Sequence, residues 1–348
     1  VATLRLDAPQ EGEEAAIQAI VDLLTQTVRS AWRPGEVARR DAHPKHHACV
    51  DAAFAVSADV PETLRHGVFA EPRRYSALIR FSNGSPRVQH DGRRDARGMA
   101  IKLLGVKPVD AHSATPVTQD FVLSSDPAFF VRNVADYVLF AGAAADSTAS
   151  ASTRVLRAVR FFVGGRRTRE LSKLFRSFIK VDNPLGVRYW SQTPYRLGPH
   201  AVKYSARPLT PAAVPASRTP ADFLRQVMTA QLDRGEARFE FLVQRFVDDR
   251  LTPIDDPTLD WDESVAPFEA VAEIQIPSQS VTEPVKLALA ENLSFTPWHA
   301  LPEHAPLGAI NRVRRRVYET ISALRHELNG VPNVEPQAPA DAPNNPSR

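Results

Sequence analysis

Three histidines and a cysteine crowd the stretch Arg40 to Val56, RDAHPKHHACVDAAFAV: His43, His46, His47 and Cys49, from a chain with ten histidines and one cysteine. Imidazole serves two kinds of chemistry, metal ligation and proton transfer near neutral pH. His43 and His47 are four apart, a spacing that puts two side chains on one side of a helix. Pro44 and the alternating apolar run after it argue instead for a turn entering a strand. No carboxylate stands at the matching spacing, so a self-contained zinc site is the weaker use. Taken alone, the residues fit equally well a loop that happens to carry histidines.

The elements that must position this stretch follow from patterning. Glu14 to Arg29 places Ile17, Ile20, Val21, Leu24 and Val28 at helical spacing, and Pro34 and Gly35 follow. Short alternating runs then read as strands: Cys49 to Val56, Tyr75 to Phe81, Met99 to Leu104 and Asp120 to Leu123. Phe129 to Ala143 and the basic segment Arg154 to Phe178 return to helical character. A second strand series covers Gly186 to Trp190, Ala201 to Ala206, Arg238 to Phe246 and Phe268 to Ile276, interrupted by a helix over Ala221 to Leu232. If both series share one sheet, about eight strands suffice to close a barrel. Leu307 to Leu328 forms a last helix that Asn329 and Gly330 end.

Composition narrows the classes. At 348 residues and 43% hydrophobic, the chain can bury a large core. Its 43 basic and 40 acidic residues leave a formal charge of +3, too small a surplus to argue for nucleic acid or an anionic membrane. One cysteine rules out an internal disulfide framework and fits a reducing compartment. No apolar run approaches the ~18 residues of a spanning helix, and no leader pattern opens the chain. A cytoplasmic protein without stable membrane insertion is expected. We expect one domain over 1–330, with a helical arm at 1–39, barrel and insertions at 40–290 and a final segment at 291–330. A flexible tail is expected over 331–348.

Five segments fall in one order: Arg40-x-x-His43-Pro-Lys45; Arg80-Phe81-Ser82; Asp95-Ala-Arg97-Gly98-Met99-Ala100-Ile-Lys102; Pro127-x-Phe129-Phe130-x-Arg132; and Arg314-x-x-x-Tyr318 with Arg325 seven residues on. The ordered set resembles the catalase superfamily, and within it the small catalase-related peroxidase branch, which Asn183 to Thr193 also resembles. The resemblance implies an α+β fold, an eight-stranded antiparallel β-barrel with flanking helices and bound heme b. It implies Tyr318 as the proximal ligand of the heme iron. An ordinary tyrosine titrates near pH ~10, and Arg314, one helical turn earlier, is placed to favour the phenolate. It further implies His43 as the distal acid-base residue, Ser82 as the hydroxyl that orients it, Phe130 beside the cofactor, and Arg40, Arg80 and Arg325 on the heme propionates.

Three positions depart from the family pattern. Ser125 stands where an asparagine is usual. Ala42 precedes the distal histidine in place of a branched residue, and Gly84 replaces a valine. The last two changes are expected to enlarge the space over the iron for bulkier hydroperoxides. The resemblance implies a peroxidase or catalase that cleaves hydrogen peroxide or organic hydroperoxides through a ferryl intermediate, with peroxide and a small-molecule electron donor as partners. It allows a homodimer. Alternatives are a rearrangement of fatty-acid hydroperoxides, as in allene oxide synthases, and a non-enzymatic heme-binding protein. His46, His47 and Cys49 receive no direct role, the histidines reading as loop or neighbouring residues and the cysteine as a small buried one.

Overall fold

The computed structural model describes residues 9–106, 117–145 and 168–337. Alternation decides the architecture. In β1 (His46–Val56), β2 (Arg74–Asn83), β3 (Arg97–Val106) and β4 (Val117–Ser124), every second side chain enters one apolar core. Ile79 and Phe81, Met99 and Ile101, and Phe121 and Leu123 face inward. Their neighbours Arg80, Ser82, Gly98, Lys102 and Ser124 therefore face outward, because successive strand residues point to opposite faces.

The chain continues through β5 (Tyr189–Trp190), β6 (Tyr195–Leu197), β7 (His200–Pro208), β8 (Ala237–Arg245) and β9 (Phe268–Ile276). All pairings are antiparallel. The order runs β5-β4-β3-β2-β1-β9-β8-β7, and β5 also pairs with β7. Eight strands thus close a barrel, with β6 added as a short hairpin partner of β7. Inside, Phe54, Phe69, Phe121, Phe241 and Tyr204 pack ring on ring, the closest pair, Phe121 and Phe241, at 4.7 Å between centroids. Phenylalanines filling a small barrel leave a packed core rather than a channel.

Helices cover the outside. α1 (Glu13–Ala31), α2 (Val134–Ala145) and α6 (Ala309–Asn329) share a second core of Ile17, Ile20, Val21, Val134, Val313 and Val317. Buried Glu13 holds Arg312 at 2.7 Å, tying α1 to α6. α3 (Thr168–Ser177) and α4 (Phe223–Leu232) lie between strand segments, and α5 (Pro284–Asn292) packs through Ala290 on Cys49, Leu78 and Leu104 of the barrel wall. Burial pushes the Cys49 thiol up to about 12, so it behaves as a small apolar residue. Among the described residues no helix is long and apolar enough to cross a membrane.

Some elements differ from the sequence reading. The helix expected from Phe129 starts at Val134, because the Asn133 side chain accepts the Asp136 N–H at 2.9 Å and caps it there. Phe129 instead donates its N–H to Pro257. Only Tyr189 and Trp190 of the expected Gly186 to Trp190 strand pair, since Pro184–Gly186 forms a 3-10 turn. Most of the expected helix from Arg154 lies outside the described residues, and its end is α3. β6 and α5 were not expected. α6 matches its expected span, and Gly330 ends it at φ 63°. Beyond it, Glu335 reaches the buried Lys102, whose Nζ also meets Asp120 at 2.8 Å.

Candidate active site

The site lies on the outer face of β1 to β4, under the helical layer. Pairing register sets its floor. Ser82 lies opposite Gly98, Gly98 opposite Ser124, and Ser124 opposite Trp190, so these residues form one row across four strands. His43 stands over this row. An added Cβ at Gly98 would come within 2.7 Å of the His43 ring and 2.8 Å of the Ser82 hydroxyl, so glycine is required for the imidazole to sit there.

His43 itself adopts φ 58°, in the left-handed region that a non-glycine residue occupies at a cost of about 1–3 kcal/mol. Neighbours hold it: its N–H reaches Gly84 O at 3.4 Å, and Arg80 Nη2 donates to its carbonyl at 2.9 Å. Ser82 Oγ lies 3.0 Å from Nδ1, so Nε2 is the ring nitrogen outside that contact. Burial, then the charges of Arg80, Arg314 and Arg40, lower the His43 pKa to about 3. The imidazole is therefore neutral at physiological pH and able to accept a proton.

A second set of residues is carried by α6. Arg314 is buried, and its guanidinium lies 5.8 Å from the Tyr318 ring centre and 5.9 Å from that of Phe129. It also donates to Thr193 Oγ1 at 3.2 Å. Burial works against its charge, but the phenols of Tyr318, Tyr195 and Tyr137 outweigh that and raise its pKa. Tyr318 packs at the edge of the helical core and is partly open. The field of Arg314 reaches His43, and Tyr318 acts on Arg40, so both sets belong to one site. α6 also fixes the segment that leads to His43: Asn329 Oδ1 accepts the Ala38 N–H at 2.7 Å, two residues before Arg40.

Arg40, Arg80 and Arg325 converge on the C-terminus of α5. Arg80 Nε donates to Ala290 O at 3.0 Å, Arg325 Nη1 to Glu291 O at 2.8 Å, and Arg40 to Ala290 and Leu293. Cations on these end carbonyls oppose the helix dipole favourably. Two carboxylates act on these charges: Glu291, 3.6 Å from Arg40 and 3.5 Å from Arg325, and Asp41, whose pKa burial raises against the fields of Arg325 and Arg40. Burial lowers all three guanidinium pKa values, and the charge of Arg40 lowers those of Arg80 and Arg325 further, the last to about 9. Three cations against two carboxylates, one of which burial pushes toward its neutral form, leave the cluster positive, so an anionic group placed there would be stabilised.

Other expected residues fall differently. The Ser125 hydroxyl accepts the Arg97 N–H at 2.9 Å and so supports the strand end, whereas Ser124 shares the row with Gly98 and Ser82. The alternation of Asp120, Val122 and Ser124 in the sequence carries that signal. A Cβ at Gly84 would meet the Ala96 Cβ at 2.9 Å, so this glycine serves a close backbone approach and opens no space over the site. Phe130 stacks on Phe129 and Phe140, at 4.5 and 4.7 Å. His47 is turned away, its Nε2 2.8 Å from Asn83 Oδ1. Glu291 was not anticipated; it lies some 250 residues from Arg40, with no local pattern to announce it.

No family model matches the sequence, and a search of curated proteins found no match either. Solved structures do match. A fungal catalase superposes with a TM-score of 0.65 at 16% identity over 84% of this chain and 59% of that one. Catalase A from Saccharomyces cerevisiae gives 0.67 at 17% over 85% and 64%, and a bacterial catalase 0.65 at 15% over 100% and 70%. The chain thus spans about three fifths of the length of the first two. It has the catalase fold, a closed eight-stranded antiparallel barrel with flanking helices.

The fold raises the question of whether these residues suit a heme. A phenol faces the site from α6, a positive cluster suits carboxylate edge groups, and Gly98 clears the floor beneath a neutral imidazole. The donor set fits an iron porphyrin, whose iron Tyr318 would hold and whose propionates Arg40, Arg80 and Arg325 would hold.

Proposed function

We propose that the chain is a heme-dependent peroxidase or catalase that cleaves the O–O bond of hydrogen peroxide or an organic hydroperoxide. A bound heme iron supplies the redox equivalents that this cleavage takes up. Tyr318 Oη would hold the iron, with the Arg314 guanidinium 5.8 Å from its ring centre. Arg40, Arg80 and Arg325 orient the porphyrin through its propionates.

His43 manages the proton. With Nδ1 hydrogen-bonded to Ser82 Oγ, Nε2 takes the proton from one peroxide oxygen and returns it to the departing one, so the leaving group departs as water or an alcohol. Ser124, in the same row, offers a hydroxyl to the substrate side. A small-molecule electron donor completes the cycle in the peroxidase mode, and a second hydrogen peroxide in the catalase mode. The observation that carries this reading is His43 itself: neutral, on a strained backbone, over a glycine, and within the field of the arginine that flanks Tyr318.

The test is His43→Ala in protein loaded with hemin. We expect an unchanged Soret intensity with peroxide consumption reduced about 10²- to 10⁴-fold. Consumption at the original rate would refute the acid-base role.

A further inference from the structure

His46 is the second histidine of the opening cluster and the one whose position nothing so far explains. It begins β1, opposite Ser82, and its side chain is 11% exposed. Two backbone bonds from Arg225 of α4 fix the strand start, Nη2 to His46 O at 2.8 Å and Nε to His47 O at 3.0 Å. The ring lies beside Glu291 and within the fields of Arg80, Arg225 and Arg40. Among the described residues neither Nδ1 nor Nε2 has a hydrogen-bond partner. Glu291 Oε2 lies 3.8 Å from Nδ1, beyond hydrogen-bond reach.

A buried donor without an acceptor is costly, and buried polar groups are nearly always paired. An ion pair with Glu291 does not resolve it: burial, then Arg80, Arg225 and Arg40, hold His46 neutral, with a pKa of about 2. A neutral imidazole still has one N–H to give, and it adds a donor to the cluster without adding charge. The three guanidiniums outnumber the two carboxylates, Glu291 and Asp41, that face them. What would satisfy both the orphaned N–H and the excess charge is one more carboxylate.

We infer that His46 is a fourth group of the anion-binding cluster, donating a hydrogen bond to a carboxylate at the edge of the bound cofactor beside Arg40, Arg80 and Arg325. The inference rests on the heme reading above, and it gives a working role to a histidine that the sequence assigned to a loop. The carboxylate sits where the three guanidiniums supply charge and His46 supplies direction.

The experiment compares two ligands. Apoprotein is titrated with hemin and with hemin dimethyl ester, in which both propionates are neutral, following tryptophan fluorescence quenching and Soret absorbance. The wild type is expected to bind hemin more tightly than the ester. His46→Ala is expected to lose about tenfold in hemin affinity and little for the ester, the loss of one hydrogen bond to a charged group. His46→Gln, which keeps an N–H donor, is expected to recover most of it. Equal losses for both ligands, no loss at all, or no recovery in His46→Gln would overturn the proposal while leaving the heme reading intact. Wild-type protein that binds neither ligand would overturn the heme reading and this inference together. Thermal melting of each apo variant identifies a loss that comes from misfolding; if His46→Ala does not fold, the His46→Gln affinities decide by the same criteria.

Discussion

The inner and outer faces of β1 to β4 are drawn from alternate residues of the same strands, yet they answer to different demands. Inside, Phe81, Met99, Phe121 and Leu123 are fully enclosed by apolar neighbours. Outside, Ser82, Gly98 and Ser124, one residue away from them in each strand, floor a polar site beneath the helices. Because side chains alternate with period two, a one-residue slip in register would exchange the two sets. The packed interior thus does more than stabilise the barrel: it fixes the register that brings Gly98 under His43. Stability and chemistry are separated by direction along the same strand.

Substitutions on the two faces should then separate, and the largest effect is expected inside. Phe121→Ala removes a ring that touches Phe54, Phe69, Tyr204 and Phe241, and should cost about 3–5 kcal/mol in denaturant unfolding. Folded Phe121→Ala protein should bind hemin as the wild type does, and a specific loss of hemin binding would break the separation. Outside, Gly98→Ala should lower peroxide consumption about 100-fold, since the new methyl displaces His43 by a sizeable fraction of an ångström. Its melting temperature should fall less than that of Phe121→Ala.

The third expectation concerns acid. Burial lowers the pKa values of His43, His46 and His47 to about 3, 2 and 4, against about 6.5 when unfolded. Between these limits the unfolded chain binds more protons, so stability rises with pH. It should be complete above about pH 6.5 and fall by up to about 1.4 kcal/mol per histidine for each pH unit below it, a slope that unfolding at pH 7, 6 and 5 measures. Peroxide consumption should show no inflection near pH 6.5, because His43 stays neutral there; an inflection at that value would contradict its burial. The smallest contrast is between neighbours. Ser125→Ala should cost about 1 kcal/mol of stability by releasing the Arg97 N–H, with unchanged turnover, while Ser124→Ala should lower turnover several-fold and leave stability nearly as it was.

The strands with strict alternation, β1 to β4 and β7 to β9, were readable in the sequence because a half-polar face imposes a period that survives without neighbours. β5 was expected longer than it is and β6 was missed, since two or three residues cannot show a period. α5 escaped because Val285, Leu287, Ala288, Leu289 and Ala290 present apolar residues on every side, and only packing on Cys49 and Leu78 selects one. In the site, His43 and Tyr318 were marked by the ordered motifs that carry the family resemblance. The choice between Ser124 and Ser125 needed the register, and the roles of Glu291 and His46 needed contacts made across 250 residues of chain. Long-range electrostatics leaves no local signature.

The most direct measurement is the absorption spectrum of the protein mixed with one equivalent of hemin, recorded beside Tyr318→Phe. The wild type should develop a Soret band that saturates at one hemin per chain, and Tyr318→Phe should shift or lose it, because phenylalanine offers the iron no oxygen. A wild-type protein without a Soret band, or a variant whose spectrum is unchanged, would contradict the assignment of Tyr318 as the iron ligand and with it the proposed chemistry.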